Sequence, residues 1–286
     1  MTPEERELFE PVPLRWPRGP RVPPRQPGST SLYAYLLDAD DDLAEEFDIR
    51  SRVSARQLTT ARVLEADVGE HQLTDWFEAA RGGLGLLVLD GLVAFEMRVG
   101  DRAATELLGA GDLLEPPIQR SEELLEHTSC WRVLWPMRLA LLDVEFSDRV
   151  RPWPQIPQAL LRRAARRISD VDALRAITAQ PRLEVRLDLL LWHLAARWGR
   201  VEPTGLRLTL PLTHRLLGQL VSAERPSVSH ALSRLGHAGL VTGTPGDWHL
   251  HGSLESHLES LIERPAEVRP QTRGRRPQPG STRRIA

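Results

Sequence analysis

Residues 212–240, LTHRLLGQLVSAERPSVSHALSRLGHAGL, decide the fold of the C-terminal part of this chain. Apolar side chains recur here at the three- and four-residue spacing that places them on one face of a helix. This spacing predicts two helices in close succession (Leu216, Leu217, Leu220 and Val221 in the first; Val228, Ala231, Leu232 and Leu235 in the second). Two short amphipathic helices joined by so little chain are typical of a helix-turn-helix.

The ends of both helices carry local signals. Thr213 is predicted to cap the first helix, because its hydroxyl can accept a hydrogen bond from an otherwise unpaired backbone N–H. Pro226 suits the start of the second helix, where a backbone N–H has no helical partner. Gly218 leaves room for the second helix to pass close to the first, and Gly236 and Gly239 indicate where the second one ends.

The side chains left facing outward on the second helix indicate the function. They are short hydroxyls, imidazoles and long cations, and no Asp or Glu lies between Arg225 and Gly239 (Arg225, Ser227, Ser229, His230, Ser233 and Arg234). Arginine can bind guanine through two hydrogen bonds, and serine and histidine can reach bases or phosphates. The segment therefore predicts DNA binding, with two core helices of an ordinary all-α domain as the alternative.

The run T-x-x-x-L-G-x-L-V followed by R-x-S-V-S-x-A-L resembles the helix-turn-helix of the Crp/Fnr superfamily of bacterial transcription regulators. The resemblance implies that Thr213, with His214 beside it, contacts phosphate, and that Arg225 contacts a base. Pro226 stands where the family usually has Glu, His230 where it has a later Arg, and Ser222 where it has a turn glycine. These departures favour an unusual target sequence with the same binding mode.

The composition is that of an ordinary soluble protein of 286 residues, long enough for two domains. The net charge of −2 places any DNA-binding surface in a local region. The single Cys130 excludes an intramolecular disulfide and a cysteine-ligated cluster. No apolar run is long enough to span a bilayer, and the N-terminus has no signal peptide, so a cytoplasmic location with no membrane partner is expected.

The two ends of the chain are rich in Pro and Arg. Residues 1–30 are predicted to be a disordered leader and residues 264–286 a disordered, Arg-rich tail that adds phosphate attraction. Between the leader and residue 65, short helices are predicted over 32–47 and 54–65.

The spacing of apolar residues changes to alternation between about Val68 and Asp143. Strands are predicted over 84–89, 92–99, 102–108 and 129–134, with Asp90-Gly91 and Gly100-Asp101 as hairpin turns. Short strands with tight turns indicate an antiparallel barrel or roll. Residues 31–155 thus resemble the cyclic-nucleotide-binding-like β-roll of the Crp/Fnr family, acting as a sensor domain.

The phosphate-binding cassette of that family is missing from this β-roll. Glu115 is followed by two prolines, which lack N–H donors, and Arg120 is followed by Ser121, Glu122 and Glu123. A cyclic phosphate would therefore bind weakly at this position. The sequence predicts that cyclic AMP is not the effector, with Arg132 as the side chain that could replace the lost cation.

Residues 157–178 are predicted to form one long helix. Leu161, Ala164, Ile168 and Val171 have coiled-coil spacing, and the family resemblance makes residues 156–180 a dimerisation helix. An intramolecular amphipathic helix is the alternative. Residues 187–198 predict a further helix, the first of a winged helix-turn-helix domain over 181–254.

Residues 241–250 predict the wing, two strands around a Pro-Gly-Asp turn. His249 and His251 share one face of the second strand but lack a third metal ligand, so they are interpreted as solvent-facing wing residues. No catalytic motif is present, and no metal or other cofactor is expected.

The predicted fold class is therefore α+β: an antiparallel β-roll, a long dimerisation helix and a C-terminal winged helix-turn-helix. The predicted function is sequence-specific regulation of transcription, and the protein is not expected to be an enzyme. Its expected partners are double-stranded DNA and a second copy of the chain, with RNA polymerase as a candidate and the effector unidentified. A cupin-like enzyme or small-molecule binder is the alternative, although the barrel segment offers only His71 and His127 as metal ligands.

Overall fold

The computed structural model describes residues 32–115 and 127–263. The predicted leader at 1–30, the predicted tail at 264–286 and most of the altered cassette lie outside these residues. None of the described helices is long and apolar enough to cross a membrane.

The N-terminal part is built on a seven-stranded antiparallel sheet, called the β-roll below. Its main path runs β1-β2-β7-β4-β5, with β3 paired to β7 and β6 to β4. The strands are β1 Tyr33–Tyr35, β2 Thr60–Ala66, β3 Gly69–His71, β4 Gly85–Val99, β5 Arg102–Gly109, β6 Leu113–Leu114 and β7 His127–Leu142. Short helices surround it: α1 Leu36–Ala39, α2 Asp41–Ala44, α3 Ile49–Arg56, α4 Thr74–Ala79 and α5 Val144–Arg149.

The turn predicted at Asp90-Gly91 is wrong. Residues 85–99 form one continuous strand, because β7 is long enough to pair with both halves of β4. The Asp90-Gly91 pair instead lies in an irregular stretch, where the register shifts between Val88 and Val93. Gly91 has a φ of 102°, and a Cβ there would lie 2.5 Å from the carbonyl oxygen of Pro136. Gly91 therefore serves a β-bulge and not the predicted hairpin turn. The second turn, at Gly100-Asp101, is confirmed, as is the strand that follows it.

The two helices predicted before residue 66 are only partly correct. The first region is divided into β1, α1 and α2, and the second helix lies at Ile49–Arg56. Residues 60–66 form strand β2, so the prediction of a helix over 54–65 is wrong over its second half. Its alternating burial, with Ala61, Val63 and Ala66 inside, is the pattern of a half-buried strand.

The long helix α6 spans Gln155–Thr178, which confirms the helix predicted at 157–178. Its inner side is fixed to the β-roll by two guanidinium–carboxylate pairs. Arg163 donates to both carboxylate oxygens of Asp40 at 2.5 and 2.7 Å, and Arg167 donates to Glu106 at 2.9 and 3.0 Å. The opposite side leaves Leu161 71% and Ile168 65% exposed.

The C-terminal part combines helices with a four-stranded sheet of order β10-β11-β9-β8. Its elements are α7 Leu183–Trp198, β8 Gly199–Glu202, β9 Gly205–Leu208, α8 His214–Val221, α9 Arg225–His237, β10 Val241–Thr244, β11 Asp247–His251 and α10 Leu254–Glu263. The helices α7, α8 and α9 and the β10–β11 wing confirm the predictions. Strands β8 and β9 and helix α10 were not predicted from the sequence.

The two parts share apolar packing. Leu92, Ala94 and Leu107, on the outer face of the β-roll, belong to the same buried cluster as the side chains of α7, α8 and α9. Gln219 of α8 donates to the carboxylate of Glu96 at 2.7 Å across this contact. The orientation of the helix-turn-helix is therefore set by the sheet as well as by its own core.

Candidate nucleic-acid interface

The helix-turn-helix is shaped by three local features of the sequence. Thr213 caps α8, its hydroxyl accepting from the backbone N–H of Leu216 at 3.2 Å, as predicted. Gly218 is required because a Cβ there would lie 2.5 Å from the carbonyl oxygen of Ala223. Ser222 follows α8 in the left-handed region, with φ 54° and ψ 50°. The chain can therefore turn within a few residues and begin the next helix.

The helix α9, called the recognition helix below, begins at Arg225 with Pro226 in its first turn. Its apolar residues are buried against the rest of the C-terminal part (Val228, Ala231, Leu232 and Leu235). Because these four side chains fix the rotation of the helix, the remaining positions must face outward.

The outward face carries most of the predicted site residues. Arg225, Pro226, Ser227, His230, Ser233 and Arg234 are all exposed. No carboxylate belongs to the helix itself, and Glu224 lies just before its first residue. The structure thus brings together a cation at the helix start and hydroxyl and imidazole groups along one side.

Ser229 and His214 form a contact inside the motif. The Ser229 hydroxyl donates to the carbonyl oxygen of Arg225 at 3.1 Å, and His214 Nδ1 lies 2.8 Å from the same hydroxyl oxygen. Since the serine has only one proton to donate, His214 Nδ1 must donate to it. This pair connects the start of α8 to the first turn of the recognition helix, and the other ring nitrogen, Nε2, remains outside it.

The side chain of Arg234 is engaged in an ion pair within the protein. Its guanidinium forms an ion pair with Glu184 of α7, whose side chain is only 13% exposed. The charge available to an external anion at Arg234 is therefore smaller than at Arg225. Sequence reasoning missed this because Glu184 lies on another element, far away along the chain.

The wing packs beside the motif. Trp248 of β11 is 2% exposed, and its ring lies 6.2 Å from the ring of His214. His249 and His251 stack on each other at 6.4 Å, and His251 Nε2 lies 2.7 Å from the Thr242 hydroxyl. Across the described ranges, no group of three or more His, Cys, Asp and Glu side chains is placed to hold a metal ion.

Comparison with known proteins places this geometry in a family. Residues 185–251 match the model of the Crp-like helix-turn-helix domain. Over 119 residues the chain is 35% identical to a CRP-like cAMP-activated global transcriptional regulator of Mycobacterium tuberculosis. That alignment covers 40% of this chain and 52% of the relative, so the chain spans about half the length of the curated relatives it matches.

Solved structures share the fold at low sequence identity. A cyclic nucleotide-binding domain containing protein from Listeria monocytogenes EGD-e aligns over 73% of this chain and 96% of its own, with a TM-score of 0.57 and 15% identity. A mutant of CooA from Carboxydothermus hydrogenoformans aligns over 70% and 88%, with a TM-score of 0.52 and 16% identity. The fold class predicted from the sequence, α+β with a β-roll and a winged helix-turn-helix, is confirmed. Residues 185–251 are thus a Crp-like helix-turn-helix domain, and the chain shares its fold with these solved structures.

Proposed function

We propose that this protein is a transcription regulator that binds double-stranded DNA through the recognition helix. The observation that carries this proposal is the exposed face of that helix, which presents Arg225, Ser227, His230 and Ser233 on a rigid, well-packed support. Long cations and short hydroxyls are the groups that read base edges in the major groove and bind phosphates. RNA polymerase is the further partner that this function would require at promoters.

The structure suggests different roles for the predicted DNA-binding residues. Arg225, at the exposed start of the helix, is the base reader in this proposal, and Thr213 and His214 face phosphate. Ser229 positions Arg225, because its hydroxyl already donates to the Arg225 carbonyl. Pro226, Ser227, His230 and Ser233 complete the contact surface, and Arg234 contributes less because it is paired with Glu184.

A homodimer formed through α6 would present two recognition helices. Leu161 and Ile168 are exposed on the side of α6 that faces away from the β-roll contacts, at the spacing of a coiled-coil seam. Two-fold symmetry in the protein would then be matched by a pseudo-palindromic operator, with half-sites about one helical turn apart.

Cyclic AMP is not the effector in this proposal. The inside of the β-roll is filled with aromatic side chains: the ring of Trp131 lies 4.4 Å from that of Phe95 and 5.6 Å from that of Phe77. Arg132, the candidate replacement for a lost phosphate-binding cation, is instead paired with Glu70 at 3.1 Å. These contacts fill the space around Trp131 and engage Arg132, and together with the altered cassette at 115–123 they support an effector other than cyclic AMP.

The cupin-like alternative gains no support from the barrel histidines. His71 Nε2 lies 2.6 Å from the backbone carbonyl oxygen of Asp67, so it must donate a proton there. That nitrogen is therefore not available to a metal, and no group of three or more His, Cys, Asp and Glu side chains among the described residues is placed to hold one.

The test is selection of binding sites from random DNA by the purified full chain, followed by affinity measurements on the selected operator. Arg225→Ala should weaken operator binding by about 1–3 kcal/mol, or roughly 5- to 150-fold, and relax the preference for one base. Arg175→Ala is the control, because it removes an exposed cation of α6 that is paired with Asp172. Unchanged affinity and base preference in Arg225→Ala would contradict the assignment.

A further inference from the structure

The last helix, α10, lies beyond the segment that matches the Crp-like model, which ends at residue 251. It is nevertheless fastened to the C-terminal part at two points. The Arg182 guanidinium donates to the carbonyl oxygen of Leu261 at 2.5 Å, and His257 is completely buried against α7. A histidine with no exposed surface requires a polar partner on both ring nitrogens.

His257 faces two acceptors, the backbone carbonyl of His251 and the carboxylate of Asp188 in its ionised form. Nδ1 lies 2.6 Å from a carboxylate oxygen of Asp188, and Nε2 lies 2.5 Å from the backbone carbonyl oxygen of His251. Both nitrogens must therefore carry protons, which makes the ring an imidazolium. Trp192 Nε1, 3.1 Å from Nδ1, can donate to it only when Nδ1 carries no proton; beside the imidazolium it makes an edge contact, with the ring centroids 5.2 Å apart.

The charge of His257 balances a buried carboxylate. Asp188 is fully buried, and its second oxygen, Oδ2, has no hydrogen-bond partner among the described residues. An uncompensated buried charge is strongly destabilising, so the loss of either charge of this pair would destabilise the structure around the other.

Contacts lead from this pair to the recognition helix. The His251 carbonyl held by His257 ends strand β11. In the same strand Trp248 packs beside His214, which in turn bonds to the Ser229 hydroxyl that holds the Arg225 carbonyl. Strand β11 joins His251 to Trp248, and the later steps are contacts between neighbouring side chains or backbone groups.

We propose that α10 braces the DNA-binding surface, with His257 as a positioning residue: a buried imidazolium that ties α10 and the end of the wing to Asp188 of α7. The structural role of α10 is inferred from geometry alone. Its effect on DNA binding rests on the proposed function. Loss of the His257 proton would free the wing and the side chain of His214 behind it.

The direction of the pH effect follows from the surroundings. Burial lowers the pKa of His257, but the hydrogen bonds to Asp188 and to the His251 carbonyl outweigh it, so the pKa is raised. Asp188 of α7 is the carboxylate that faces the His257 ring. The ring of His251 on β11 contacts the Thr242 hydroxyl instead. Glu255 and Glu259 lie on the exposed side of α10. The contribution of the brace is therefore complete below the unfolded pKa of about 6.5 and is lost as the pH rises through the raised folded pKa.

Two measurements on the full chain test the brace without DNA. Nitrogen NMR of the wild-type protein at pH 7 should show His257 with both ring nitrogens protonated. Amide hydrogen exchange over residues 225–229 and 247–251, corrected for intrinsic rates, should accelerate above the folded pKa, by about tenfold per pH unit. His257→Gln should remove that acceleration, whereas His71→Gln, on the β-roll, should keep it.

The third measurement is operator affinity from pH 6 to pH 9 for the same proteins. The wild type and His71→Gln should lose affinity at alkaline pH, while His257→Gln should be weaker at pH 6 and much less dependent on pH. A neutral His257 ring at pH 7 in the wild type, or identical exchange and affinity profiles in His257→Gln, would overturn the proposal. If exchange shows the linkage but no DNA is bound at any pH, the brace stands and the proposed function fails.

Discussion

The outer face of the recognition helix and the interior of the β-roll use their side chains in opposite ways. On the recognition helix, Arg225, Ser227 and His230 are exposed, and the apolar residues beneath them only fix the orientation. In the β-roll, the rings of Trp131, Phe77 and Phe95 pack against one another in the interior. The first surface is built to meet a partner, and the second is packed as a core.

The difference is one between a proposed binding surface and a packed interior. The fold of the β-roll depends on its strands and on the packing between them, and aromatic side chains satisfy that requirement as well as a bound ligand would. On the recognition helix, packing cannot take the place of a bound partner in the same way, because the exposed polar face contributes little to stability. Its composition is explained by an external partner rather than by packing.

The largest effect is expected from removing the aromatic core of the β-roll, which tests whether its interior is packed. Trp131→Ala should lower the free energy of unfolding by about 3–5 kcal/mol, because it leaves a cavity beside Phe77 and Phe95. Chemical denaturation measures the change, and operator affinity of the folded protein should stay near that of the wild type. Trp131→Phe keeps a ring at this position and should lose clearly less stability. A Trp131→Ala protein as stable as the wild type would show that the interior is not a packed core.

The next largest effect is expected in α6, the helix between the β-roll and the C-terminal part. Ile168→Asp should yield monomers, because it places a charge in the seam of the proposed dimer, where Ile168 is now 65% exposed. Loss of the second recognition helix should weaken operator binding by roughly 100-fold.

Sedimentation and operator titration provide the readout for this variant. Ser169→Asp is the matched control, since it adds the same charge one residue away at an exposed position. A wild type that is monomeric at micromolar concentration, or an Ile168→Asp protein that remains dimeric, would exclude this seam.

The smallest expected effect lies in the turn before the recognition helix. Ser222→Gly should raise the free energy of unfolding by about 0.5 kcal/mol, because serine is strained at φ 54° and glycine is not. Ser222→Ala, at the same position, should bring no gain. Thermal unfolding of the three proteins checks the order, and a Gly variant less stable than the wild type would argue for a side-chain role at this turn.

The helix-turn-helix was predictable because its determinants are local. The capping Thr213, the turn at Ser222 and the apolar spacing of both helices all lie within a short window of sequence. The β-roll was less predictable because strand pairing is not local. Asp90-Gly91 has the composition of a hairpin turn, yet pairing with β7, more than thirty residues away, makes it a bulge within one strand.

The same reasoning explains what was missed at the candidate site. The pairing of Arg234 with Glu184 and of His257 with Asp188 joins residues far apart in sequence. No spacing rule connects them. The alternation in the first part of β2 was a signal that could have been found, because Ala61 and Val63, two residues apart, mark one face of a strand.

The central claim is that the recognition helix binds DNA while the β-roll needs no cyclic nucleotide. The most direct test is fluorescence anisotropy of the selected operator, titrated with the purified protein in the absence and presence of cyclic AMP. The account predicts tight, specific binding without nucleotide and the same affinity when cyclic AMP is added. Binding that appears only with cyclic AMP, or that strengthens tenfold or more, would contradict it.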